Sequence, residues 1–143
     1  MKLALRPTPA TGAKWIDKVA HAAIKARLCT GYPHGGVVIN GVLYHSTARD
    51  GVHKVIDWSP ERWELFDIGG DDIAALERFD EREGRSYDWV GLLPFVGVPG
   101  SNRDADYCFE LAQYMMTGIY PNRLVTAETL LAFVAKVLTK NRE

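Results

Sequence analysis

The sequence predicts an α+β domain in which a small antiparallel sheet packs against one central helix. Three observations carry this expectation. In Val37-Val38-Ile39-Asn40-Gly41-Val42-Leu43-Tyr44, two apolar runs flank an Asn-Gly pair, the pattern of a β-hairpin with a tight two-residue turn. Later, Cys108, Leu111, Ala112, Met115 and Met116 recur at three- and four-residue steps, the buried stripe of a helix. Between them lie two further strand candidates, Gly51–Trp58 and Trp63–Ile68, separated by Ser59-Pro60, which bring the expected sheet to about four strands.

The remaining elements follow in chain order. Residues 1 to 12 suggest a short strand or extended arm ending in a Pro7-Thr8-Pro9 turn. Trp15, Ile16, Val19, Ala20, Ala23, Ile24 and Leu28 mark one face of a helix from about Ala13 to Leu28, with His21 as a structural histidine. Gly69-Gly70 and Asp71-Asp72 announce the next helix, with Ile73, Leu76 and Phe79 inside and Glu77, Arg78, Glu81 and Arg82 in solvent. Gly84 to Arg103 is nonperiodic, about twenty residues of the kind that forms functional loops or lids. A final helix capped by Thr126 carries Leu130, Leu131, Phe133, Val134 and Leu138.

Composition bounds the function. A chain of 143 residues is expected to fold as a single domain, residues 1–143. Its 17 basic and 18 acidic side chains leave a net charge of -1, which points to neither a nucleic-acid nor a membrane-surface partner. No stretch has the length of a membrane span, and the run before Arg6 and Pro7 is too short for a secretory leader, so a cytoplasmic location is expected. Cys29 and Cys108 are too few for a disulfide framework. The sequence leaves the oligomeric state open.

Chemistry concentrates on Cys108. Asp104 or Asp106 is the expected cap of its helix, which puts the sulfur in the first turn, where the helix dipole favours thiolate over thiol. The plain alternative is a small core cysteine. Gly35 and Gly36 lead the first hairpin strand and His45 ends the second, so His34 and His45 lie near the same open end of the hairpin. A thiol, an imidazole base and a second polar group that orients the base form the thiol version of a catalytic triad. His53 ranks below His45 because its direction on the next strand is undetermined. Two histidines and a cysteine without a close-spaced pair make a poor zinc set, so neither a metal nor another cofactor is expected.

Gly84-Arg85-Ser86-Tyr87-Asp88-Trp89-Val90-Gly91, followed by Tyr107-Cys108-Phe109-Glu110-Leu111, resembles the NlpC-type papain-like cysteine hydrolases. Here the histidines precede the cysteine. That order is similar to the circularly permuted branch, the bacterial YiiX-like proteins and, more distantly, the lecithin:retinol acyltransferase-like enzymes. The likeness spans Tyr32 to Met116. It implies a papain-like fold with Cys108 as nucleophile, His34 as general base, His45 as its orienting residue and Tyr87 as the hydroxyl bordering the oxyanion site. It also implies amide hydrolysis through an acyl-thioenzyme, with peptidoglycan stem peptides as the usual substrate. Lipid-ester acyl transfer or hydrolysis is the alternative chemistry, and a noncatalytic phage or bacterial assembly module the alternative class. Many permuted members carry a serine before the histidine and another after the cysteine, and an apolar residue after the histidine. This chain has Pro33, Phe109 and Gly35, departures expected to reshape the groove walls.

Overall fold

A computed structural model describes residues 1–8, 14–15, 18–19, 22, 31–89, 105–121 and 125–140. Five antiparallel strands form one sheet: β1 (Lys2–Arg6), β2 (His34–Ile39), β3 (Val42–Thr47), β4 (Gly51–Val55) and β5 (Glu64–Asp67), in the order β4-β3-β2-β1-β5. Helices α1 (Asp72–Asp80), α2 (Cys108–Thr117) and α3 (Ala127–Lys140) follow. The α+β class with a small antiparallel sheet is therefore present, with one strand more than expected. The N-terminal segment enters the sheet between β2 and β5 and pairs with both, Leu3 facing Val37 on one side and Phe66 on the other. β5 thus lies at the edge opposite β4.

The β2–β3 turn has the predicted form. Asn40 and Gly41 have φ of 51° and 80°, the pair of left-handed conformations a type I′ turn needs. Strand alternation then sorts side chains onto two faces. Leu3, Leu5, Val37, Ile39, Tyr44 and Val52 point toward the helices, where Ala75 and Phe79 of α1, Leu111 and Met115 of α2, and Leu130 and Val134 of α3 meet them in one core. The other face carries a smaller cluster of Ala4, Val38 and Leu43, covered by Val55, Trp58 and Trp63 from β4 and the β4–β5 connection.

Several local expectations change in the folded chain. The cap of α2 is Tyr107, not Asp106; the Tyr107 amide donates to Glu110 Oε2 at 3.3 Å, while Asp106 is buried beside Arg82 at 3.5 Å. Asp104 lies outside the described residues. In α1, Asp71 caps by accepting from Ile73 and Ala74. The buried stripe of α1 is Ala75 and Phe79, spaced i, i+4, so Ile73 turns outward and is 72% exposed. Arg82 is not a free surface charge but lies over the rings of Tyr114 and Tyr120. Thr126 caps α3 as expected, accepting from the Thr129 amide. Phe133, by contrast, is 40% exposed, because Leu130 and Val134 supply the inward face. Most of the first predicted helix, with His21 and Cys29, and most of the loop preceding α2 lie outside the described residues. Of that first helix, Trp15, Lys18, Val19 and Ala22 are helical, and Trp15 and Val19 are exposed.

The Gly35 and Phe109 departures belong to the core rather than to a groove. A Cβ on Gly35 would stand 2.8 Å from Phe109 Cε1 and 3.0 Å from Leu5 Cδ2. The Phe109 ring occupies the space that a side chain after His34 would take.

Candidate functional site

The site is built from the ends of β2, β3 and β4 together with the start of α2. Register follows from the two turns. Val37 pairs with Tyr44, and continuing the antiparallel ladder sets Gly36 opposite His45, with His34 on the neighbouring diagonal of the same face. Gly36 has no side chain to intervene: a Cβ there would stand 2.7 Å from the Tyr44 carbonyl oxygen and 3.0 Å from His45 Cβ. The His45 ring lies across this gap, and its Nδ1 is 3.0 Å from His34 Nε2. On the other side His45 pairs directly with His53, and their Nε2 atoms are 3.0 Å apart. His53 Nδ1 in turn donates to the Gly51 carbonyl at 2.9 Å.

Three imidazoles therefore form one hydrogen-bonded row running from β2 to β4. His34 and His45 are buried, and His53 is half-buried. Burial first, then the neighbouring His53 and Arg6, push His45 down to about 3, so its ring is neutral near neutral pH. His45 uses a different nitrogen toward each neighbour. The row thus spreads its ring nitrogens along a line instead of converging them on one point, as a metal would require. Among the described residues no group of three ligating side chains is placed to hold a metal ion.

Cys108 is the first residue of α2 and is free and buried. Burial pushes its thiol up to about 12, while the backbone amides of Gly35, Phe109 and Cys108 itself, and the charge of Arg6, pull it down. The Gly35 amide places the sulfur against the strand residue that follows His34. Arg6 enters from β1, directly opposite His34 in the ladder, with its guanidinium 5.0 Å from the centre of the Trp63 ring. Arg6 Nε is buried and has no hydrogen-bond partner among the described residues.

The tyrosine motif reaches the same region by an edge pairing. The Val52 amide donates to Arg85 O at 2.8 Å, and the Gly84 amide donates to Val52 O at 2.9 Å, so residues 84–85 lie along the outer side of β4. A Cβ on Gly51 would meet Arg85 O at 2.1 Å, and Gly51 has φ of 66°, so two constraints call for glycine there. Ser86 O then accepts from the Asp106 amide at 3.2 Å, and Ser46 Oγ donates to Asp106 O at 2.6 Å. These bonds tie the motif to the start of α2. Burial raises the Tyr87 phenol well above its usual range, and the nearby Cys108, Asp88 and Glu110 add to it.

Of the four residues singled out from sequence, His34 and His45 are in direct contact on the Trp63 side of the sheet, whereas Cys108 belongs to the helix-side core, against Gly35, the residue after His34, with Tyr87 near it. Sequence reasoning missed Arg6, whose position depends on β1 pairing with β2. It under-ranked His53, although a three-residue turn at Ala48-Arg49-Asp50 would have set His53 opposite His45. Beside the row lies a groove of about 470 Å³, lined by His45, Arg6, Arg62, Trp58 and Trp63 among others. Trp58 and Trp63 meet edge to face at 6.0 Å, and Trp58 Nε1 donates to Gly41 O. Comparison with family models, with curated proteins and with solved structures finds no match to this chain.

Proposed function

We propose that this protein is a thiol hydrolase of permuted papain-like type that cleaves an amide bond through an acyl-thioenzyme, with Cys108 as nucleophile, His34 as general base and His45 orienting it. The observation that carries this reading is the 3.0 Å bond between the His34 and His45 rings, set one residue from the amide that holds the Cys108 sulfur. In the reaction the S–H bond breaks, its proton passes to the His34 imidazole, and the electron pair left on sulfur attacks the acyl carbon. The imidazolium then returns that proton to the leaving amine, and water releases the acyl group by the same route in reverse. Amides at the start of α2 and the Tyr87 hydroxyl supply donors for the tetrahedral oxyanion. Peptides of the peptidoglycan stem type are the substrates to try first, on the strength of the sequence resemblance.

A second reading, a noncatalytic binding or assembly module, is favoured by one observation. The sulfur is buried, and its pKa is pushed up to about 12. The two readings separate on thiol chemistry. Iodoacetamide labelling of Cys108 that is rapid near neutral pH and slows by at least about tenfold in His34→Ala supports the hydrolase. Hydrolysis of a stem peptide lost in Cys108→Ala, Cys108→Ser and His34→Ala would complete the case. Sluggish labelling that is indifferent to His34 and follows only an alkaline titration supports the module.

A further inference from the structure

We infer that His53 is a positioning residue that selects the tautomer of His34 through His45, so that the functional unit is a row of three imidazoles rather than a pair. This inference rests on His34 being the base of the proposed thiol hydrolase. One atom at the end of the row has a fixed role: the Gly51 carbonyl oxygen carries no proton and can only accept. His53 Nδ1, 2.9 Å from Gly51 O, must therefore carry a proton, and in the neutral form of the ring it carries the only one. Its Nε2 then holds a lone pair. At 3.0 Å, His45 Nε2 must donate to it, which leaves His45 Nδ1 bare. His34 Nε2, 3.0 Å from that bare nitrogen, must donate in turn. In a neutral His34 ring with Nε2 protonated, the remaining lone pair is the one on Nδ1.

The order of protons along three rings is thus set by one backbone carbonyl in β4. Its product is a His34 whose Nδ1 can take up the thiol proton while Nε2–H stays bonded to His45. Neutrality of the middle ring is essential, since a doubly protonated His45 would present a donor at both nitrogens. Burial of that ring, which drives its pKa down, supplies the condition. Removing the His53 acceptor frees the His45 proton to move to Nδ1. His45 would then donate to His34 Nε2, and the His34 proton would shift to Nδ1, the nitrogen needed as base.

The test is a long-range proton–nitrogen correlation spectrum of the full chain labelled with 15N-histidine, at about pH 8, where ordinary imidazoles are neutral. His34 and His45 are expected as Nε2–H tautomers and His53 as the Nδ1–H tautomer. In His53→Leu the Nδ1–H form of His34 should rise, and iodoacetamide labelling of Cys108 should slow by at least about tenfold. In His53→Gln, whose Oε1 can accept from His45, both should return toward wild type. A wild-type His34 carrying its proton on Nδ1 overturns the inference, as does a His34 tautomer indifferent to His53→Leu. The wild-type spectrum tests the order by itself if the leucine variant does not fold. A wild-type protein with the expected proton order but an inert thiol would sink the hydrolase reading and leave the relay standing.

Discussion

Gly36 shows how much a missing side chain can organise. His45 reaches the His34 ring only because the residue opposite it in the ladder leaves open space, and a Cβ there would collide with both the Tyr44 carbonyl oxygen and His45 Cβ. Gly36→Ala should therefore disturb the row and slow Cys108 labelling, and should destabilise the fold by about 1–3 kcal/mol, measured by urea unfolding. His45 itself makes a pH prediction. Its folded pKa of about 3 lies below its usual 6.5, so the unfolded chain binds a proton in this interval that the folded chain does not. His45 thus costs no stability above about 6.5, and a penalty grows by about 1.4 kcal/mol for each pH step as pH falls toward 3. Unfolding of His45→Leu, compared with wild type across pH 7 to 4, should show that much of the acid sensitivity removed.

At the scale of elements, α2 docks on β2 through a complementary pair. Gly35 leaves a space and Phe109 fills it, so the start of the helix is pressed against the strand that carries His34. Gly35→Ala should destabilise by about 1–3 kcal/mol, and combining it with Phe109→Leu should recover part of the loss, a double-mutant coupling readable by thermal or urea melts. The same helix holds Glu110, whose side chain accepts from the Tyr107 amide. Burial pushes Glu110 up to about 8, against a usual value of 4.5. Here the sign is reversed. The folded state keeps a proton that the unfolded state loses, so stability falls as pH rises between these values. Glu110→Gln, a neutral acceptor of the same shape, should gain stability relative to wild type as pH rises from 5 to 8.

At the scale of the whole molecule, the site is held by connections between distant segments. The Tyr107 hydroxyl donates to Val125 O at 3.0 Å and accepts from the Val125 amide at 2.8 Å, locking the start of α2 to the segment that enters α3. Tyr107→Phe leaves both Val125 groups without that buried partner and should cost about 1–3 kcal/mol in urea unfolding. Arg82, beside the buried Asp106 and over two tyrosine rings, ties the end of α1 to the same region. No helix among the described residues is long and apolar enough to cross a membrane.

The α+β class, the Asn40-Gly41 hairpin, a helix carrying Cys108 in its first turn and the proximity of His34 to His45 were all legible in the sequence, although the cap of that helix was not. Each is a local matter: turn chemistry and two-residue alternation set which histidines share a face, and three- and four-residue spacing sets a helix stripe. Tertiary structure alone decided that the N-terminal strand lies inside the sheet and brings Arg6 opposite His34. It alone placed Phe109 in the hollow over Gly35 and closed the sulfur from solvent. Pairings between remote segments and burial depend on which surfaces meet when the whole chain packs, and no spacing within one segment encodes that outcome.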